Sequence, residues 1–190
     1  DKAVSPVNTY GATKFLMERL FVSANFFKGK QKIKFFCVRY GNVLGSRGSI
    51  VPVFVNQIKS GKKITITDPL MTRFNIAMDE ALNLIFRALQ NGKGGEIFVP
   101  KLKAYKVGDM KDAIVEGLNS NTESEIISIR PGEKLHEFLI NSDELRNTFE
   151  NDDDYVIVDK QLQDSEFNKN NNLVTTTLIQ PYSSDKVQLL

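Results

Sequence analysis

The chain is expected to fold as an α/β protein with parallel strands. Strand-like and helix-like segments alternate over roughly residues 1–140 with short connections, the order of βα units. The run Ile33–Val38 reads as a strand covered on both faces, as in a parallel sheet. A glycine-rich turn, Gly41 to Gly48, follows it, at the strand end where open α/β sheets place ligands.

Each element has its own signal. Residues 1–9 are polar and loop-like, and Pro6 disfavours helix before it. A helix is expected from about Thr9 to Asn25, with Phe15, Leu16, Leu20, Phe21 and Ala24 on its buried side. After the Gly-rich turn, residues 50–60 read as a helix that Gly61 closes. Ile64–Thr67 alternates like a short strand. Asp79–Asn91 is amphipathic and ends at Gly92. Ile97–Val99 reads as a strand, Val107–Leu118 as a helix, Glu125–Ile129 as a strand and Leu135–Ile140 as a short helix. Tyr155–Val158 is a candidate strand, and residues 160–190 show no sustained period, so they are expected to be extended and partly mobile.

Composition excludes several classes. The chain has 190 residues, 41% apolar and 25% charged, enough for a packed core. A net charge of +2 and the lack of a Lys/Arg run give no nucleic-acid stripe. No segment approaches the ~20 continuous apolar residues of a membrane span. The single cysteine, Cys37, allows no intramolecular disulfide and fits a reducing compartment. One histidine, His136, without Cys or acidic clustering gives no metal site. No Gly-x-Gly-x-x-Gly turn occurs, so the phosphate-binding half of a dinucleotide-binding sheet is absent. With a start at Asp1 rather than Met, the chain is expected to hold the second half of such a unit.

One pair carries chemistry. Tyr10 and Lys14 are four apart at the start of the first helix, which puts their Cβ atoms about 6 Å apart on one face. An ammonium there favours the phenolate and makes a tyrosine usable as a base. Asp1-Lys2 lies just upstream, an acid beside a base as an elimination requires. By spacing alone, both pairs read more readily as solvated surface than as catalytic groups.

Longer motifs decide between these. DKAVSPVNTYGATK at 1–14, RYGNVLGSRGSIVPVF at 39–54, ITITDPLMTRF at 64–74, GGEIFVPK at 94–101 and IRPGEKLHE at 129–137 occur in this order. In them the chain resembles the C-terminal part of an extended short-chain dehydrogenase/reductase acting on nucleotide sugars. Within that group it is most similar to the inverting UDP-N-acetylglucosamine 4,6-dehydratases (the pseudaminic-acid pathway and polysaccharide-biosynthesis family). The resemblance implies a partial NAD(P)-binding Rossmann fold. Residues 1–60 would form its second half, 61–150 would mainly bind the UDP-sugar, and 151–190 would be an irregular extension. It implies NADP as cofactor, with NAD as the alternative, and UDP-N-acetylglucosamine as substrate. Tyr10 would take the O4 proton, Lys14 would hold the cofactor ribose, Lys2 would be the base at C5, and Asp1 the acid for the C6 hydroxyl. Tyr40, Asn42 and Val43 would join the cofactor contacts. Asn42, Arg47, Arg73, Arg130 and Glu133 would contact the substrate, the arginines as forks for a diphosphate. A cytoplasmic homo-oligomer is implied for the parent, for surface polysaccharide or flagellin glycan synthesis. The isolated chain is expected to be inactive.

The sequence departs from the pattern at Asn75, where relatives carry an aromatic residue, and the hydroxyl residue that precedes the Asp-Lys pair is absent. Three rivals stay open: a UDP-sugar 4-epimerase, which needs no elimination acid and base; a retaining 4,6-dehydratase; and a non-catalytic fragment that binds UDP-sugar.

Overall fold

The computed structural model describes residues 2–159 and 165–190. The elements are α1 (Thr9–Phe27), β1 (Cys37–Val38), β2 (Asn42–Val43), α2 (Ile50–Lys59), β3 (Ile64–Ile66), β4 (Thr72–Ile76), α3 (Met78–Asn91), β5 (Ile97–Pro100), β6 (Ala104–Lys106), α4 (Val107–Gly117), β7 (Ser124–Ile126), β8 (Phe138–Ile140), a 3-10 turn (Leu145–Asn147), β9 (Thr148–Glu150), β10 (Asp154–Ile157), α5 (Ser165–Asn170), β11 (Val174–Thr175) and β12 (Tyr182–Ser183). They fall into two interleaved units. One holds Asp1–Tyr40, Asp79–Lys101 and Phe138–Tyr182; the other holds Gly41–Met78, Leu102–Glu137 and Ser183–Leu190.

The first unit is built on a five-stranded sheet in the order β1-β5-β10-β9-β11. β1 and β5 are parallel, with Cys37 opposite Ile97. The remaining pairs are antiparallel. α3 opens with Asp79 and Glu80, which suit the positive end of the helix dipole. Its buried face is Ala81, Leu84 and Ala88, and the last two pack with Phe98, Val156, Val158 and Leu173. Arg87 of α3 forks onto the buried Asp154 of β10 at 2.7 and 2.6 Å, a bidentate pair fixing helix to sheet.

In the second unit, β2 pairs parallel with β4, β4 antiparallel with β6, and β3 parallel with β7. Its core joins Phe54, Ile64, Ile66, Met71 and Val107. The C-terminus is tied down here: Leu190 donates its amide to the Ala104 carbonyl at 2.8 Å. Gly41 leads into β2 where no side chain fits. An added Cβ would lie 2.6 Å from the Phe74 Cβ and 2.7 Å from the Phe74 carbonyl. Backbone cannot swing aside, so Gly41→Ala is expected to destabilise the chain by about 1–3 kcal/mol, read as a lower urea midpoint.

Four sequence expectations need correction. First, Phe15, Leu16, Leu20 and Phe21 of α1 are exposed, and the buried residues of that helix are Gly11, Glu18, Val22 and Asn25. Hydrophobicity marked side chains that stay largely exposed, with Phe21 meeting only the Phe35 ring edge-on and Phe15 only the Arg19 guanidinium. Second, the strand expected at Ile33–Val38 is confined to Cys37–Val38. Before it, Asn25 bonds the Phe35 carbonyl at 2.7 Å and the Phe35 amide at 3.2 Å, and the same carbonyl accepts from the Gly95 amide at 2.6 Å. Third, the helix expected at Leu135–Ile140 is replaced by strand β8; a short apolar run cannot tell helix from strand by period. Fourth, the described tail after residue 164 carries α5, β11 and β12 rather than only extended chain. Two-residue strands are too short to leave a pattern.

Candidate active site

The start of α1 is fixed locally. Asn8 is extended at φ −143° and caps the helix, its side-chain oxygen accepting from the Gly11 amide at 2.8 Å. A Cβ at Gly11 would lie 3.1 Å from the Lys2 carbonyl and from Pro6, so glycine lets the segment 2–6 run against the first turn. Tyr10, 59% exposed, and the half-buried Lys14 then stand side by side, the Lys14 ammonium 5.2 Å from the Tyr10 ring centroid. That is a cation–π distance. Lys2 and Lys14 line one cavity of about 400 Å³ with Glu18, Cys37, Arg39 and Tyr40. The first unit thus brings Lys2, Lys14 and Tyr40 to one cavity, with Tyr10 next to Lys14. Asp1 lies outside the described residues.

Beneath this cavity is a buried charge cluster that the motifs did not disclose. Arg39 forks onto Glu18 at 2.7 Å through both Nε and Nη2. It also meets Glu144 at 2.9 Å (Nη1) and 2.7 Å (Nη2), and donates to the Leu139 carbonyl at 2.8 Å. The three side chains are 6% (Arg39), 5% (Glu18) and 15% (Glu144) exposed. Burial alone would raise the Glu18 pKa; the Arg39 bonds and charge, joined by Arg19, outweigh it and hold the carboxyl below its ordinary range. Arg39 is correspondingly held above its ordinary value, burial being outweighed by the two glutamates. Their separation in sequence hid the cluster; the available signal was Glu18, one helical turn after Lys14.

Cys37 beside it is driven the other way. Burial, then the Glu18 charge, pushes its thiol up to about 11. At pH 8 its alkylation by iodoacetamide is expected to be about 10²-fold slower than that of a free thiol, with the rate recovering in urea.

The second unit gathers the other candidates. Asn42, Arg73, Arg130 and Glu133 line a cavity of about 280 Å³ with Thr67 and Tyr105. Arg73 is pinned: Nη1 donates to the Thr72 carbonyl at 2.8 Å and the Leu135 carbonyl at 3.0 Å, and Nε lies 3.9 Å from the Glu137 carboxylate. Arg130 is exposed, and its amide donates to Glu133 at 3.2 Å. Glu133 also accepts from the Thr67 hydroxyl at 3.2 Å. Val43 is half-buried on β2, and Arg47 is exposed outside the lining of this cavity. Tyr105 was not expected from sequence: its segment carries no motif. Burial, then the Glu137 charge, raises its pKa, against Arg73 and a hydrogen bond with Asn42. His136 packs structurally, its Nδ1 2.8 Å from the Thr72 hydroxyl, which lies 2.6 Å from that of Ser184. Among the described residues no helix is long and apolar enough to cross a membrane.

Comparison with known proteins agrees with this fold. The chain is 45% identical over 181 residues to an uncharacterized membrane protein of Methanocaldococcus jannaschii, covering 92% of this chain and 54% of that one. It is 44% identical over 158 residues to the inverting UDP-N-acetylglucosamine 4,6-dehydratase of Campylobacter jejuni, covering 83% and 46%. A UDP-glucose 4-epimerase of Rickettsia rickettsii is 41% identical over 145 residues, covering 76% and 42%. The chain therefore spans about half the length of the curated relatives it matches. The crystal structure of Pen from Bacillus thuringiensis superposes with a TM-score of 0.89 at 38% identity, covering 99% of this chain and 56% of that one. NAD-bound dTDP-glucose 4,6-dehydratases at 16% and 18% identity share the fold, with TM-scores of 0.59 and 0.61. The architecture is part of a short-chain dehydrogenase/reductase Rossmann-like fold. Residues 1–159 match the polysaccharide biosynthesis protein family, and this chain belongs to it.

Proposed function

We propose that this chain is the C-terminal part of a UDP-N-acetylglucosamine 4,6-dehydratase that inverts C5. The observation that carries the reading is the Tyr10–Lys14 contact at the capped start of α1, with the Lys14 ammonium 5.2 Å from the phenol ring. The donor set there suits the ribose and nicotinamide end of a dinucleotide: an ammonium and a phenol, adjacent and reachable from solvent. NADP is the proposed cofactor, with NAD as the alternative; when bound, it accepts a hydride from C4 and returns it to C6.

The residues then divide the proton work. Tyr10 takes the O4 proton as the C4 hydrogen leaves, and Lys14 stabilises the negative charge on the phenol oxygen. The resulting C4 ketone acidifies the C5 proton, which Lys2 removes. Asp1 protonates the departing C6 hydroxyl, so water is lost across C5 and C6. With that hydride returned, C6 would become a methyl group, and a proton delivered to C5 on the opposite face would invert that centre. The protons balance: Tyr10 and Lys2 take up one each, from O4 and C5, and one each is given to the departing C6 hydroxyl and to C5, so exchange with solvent restores all three residues to their starting states.

In the second unit, Arg130 and Arg73 are the proposed diphosphate contacts. Arg130 offers an exposed fork, whereas Arg73 is preoriented by two carbonyls. Asn42 is assigned to the sugar or a phosphate, Glu133 to the nucleoside and Arg47 to a peripheral contact. Tyr40 and Val43, with Asn42, are assigned to the cofactor. A cytoplasmic homo-oligomer is proposed for the whole protein, and no turnover for this chain alone.

The test is proton NMR of UDP-N-acetylglucosamine incubated with the full-length protein. A methyl doublet replacing the C6 hydroxymethyl signals, with the couplings of an inverted C5, supports the proposal. Unchanged C5 stereochemistry makes it a retaining enzyme. A C4 epimer with its hydroxymethyl intact makes it an epimerase, and UDP binding without product makes it a binding module.

A further inference from the structure

The geometry points to Arg39, Glu18 and Glu144 as a clamp that sets the roll of α1 and so positions Tyr10 and Lys14. This rests on reading that pair as the proton-handling centre. An amphipathic helix is normally held at one rotation by an apolar stripe. α1 has little of one: Phe15, Leu16 and Leu20 are exposed, Phe21 meets the Phe35 ring only edge-on at 6.0 Å, and Val22 is its one buried large apolar side chain. Beyond these, what grips the helix is polar. Asn25 bonds the Phe35 backbone at its C-terminal end, and Glu18 is held in its middle by both arms of Arg39 at 2.7 Å. Arg39 cannot follow Glu18 if the helix turns, because Glu144 and the Leu139 carbonyl hold its other edge at 2.7–2.9 Å. Glu144 is itself fixed, accepting from the Asn141 amide at 3.0 Å.

Lys14 and Tyr10 precede Glu18 on nearly the same stripe, about 40° and 80° around the helix. A roll of about 15° would carry a group some 6 Å off the axis by on the order of 1.5 Å. A displacement of that size at a reacting group costs on the order of 10²-fold in rate. Arg39 and Glu18 are therefore positioning residues, acting through Tyr10 and Lys14.

Two measurements on Glu18→Gln test this. In the full-length protein with UDP-N-acetylglucosamine, kcat is expected to fall about 10–10²-fold with KM within about twofold. On a Tyr10→Phe background the same change is expected to cost less than about twofold, because the residue it positions is already gone. Full multiplication of the two losses, or no loss at all, overturns the clamp. In this chain alone, NMR should show the Tyr10 ring and Lys14 side-chain resonances shifting while those of α3 and β5 stay in place. Unmoved Tyr10 and Lys14 resonances in a folded variant overturn it whatever the activity. Shifted resonances in a protein whose wild type turns over no UDP-sugar keep the clamp and sink the catalytic reading. Should Glu18→Gln fail to fold, Glu144→Gln, which releases Arg39 but leaves its pair with Glu18, carries both readouts.

Discussion

Tyr10→Phe in the full-length protein is expected to lower kcat by about 10²–10⁴-fold while leaving UDP affinity within about twofold. The substitution removes one oxygen and little else. Tyr10 is 59% exposed at the first turn of α1, so no buried partner is stranded and no cavity opens. The helix cap is untouched, because Asn8 bonds the Gly11 amide rather than any atom of the Tyr10 side chain. The whole loss should therefore fall on the step that needs a base at O4. Isothermal titration with UDP and steady-state turnover, measured on one preparation, separate binding from chemistry. Undiminished turnover would end the dehydratase proposal and the epimerase alternative together, since both begin by oxidising C4.

Arg39→Ala is expected to cost about 3–5 kcal/mol of stability, the range for removing one partner of a buried ion pair. Most of that cost comes from the carboxylates it strands. Glu144 would lose its guanidinium, and Glu18, only 5% exposed, would keep only Arg19 at 2.8 Å. Against a typical total of about 5–15 kcal/mol, the variant would be largely unfolded or close to it. Urea titration followed by circular dichroism reads the loss directly. The same cluster sets an acid limit. The Glu18 pKa in the folded chain is below its ordinary 4.5, since Arg39 and Arg19 outweigh the burial that opposes them. Its contribution is thus fully present above the ordinary carboxylate range and is lost as pH falls through the lowered value. Glu18→Gln should flatten that acid limb while lowering stability at neutral pH.

Much of the architecture could be read in advance because period and punctuation agreed. α3 carries its apolar stripe, acidic first turn and closing Gly92, and α2 ends just before Gly61. Tyr10 and Lys14 were visible because helix geometry converts a spacing into a contact. Arg39 was not, because its partners are 21 and 105 residues away and a charged side chain reads as surface until its burial is known. The inward side of α1 was misread for a related reason. Its anchors, Glu18 and Asn25, are polar, while Leu16, Leu20 and Phe27 face outward. The same blindness applies to Arg73, whose Nη1 is oriented by two carbonyls as no motif discloses.

The outward side of α1 also governs how a sample of this polypeptide would behave in the tube. Leu16, Leu20 and Phe27 make an oily ridge along a single helix. Such a ridge recruits fluorescent dyes such as ANS and clings to column resin. It also drives clumping as concentration rises. Light scattering from a concentrated stock should therefore drop when Leu16 and Leu20 are exchanged for lysine, with far-ultraviolet ellipticity unaltered.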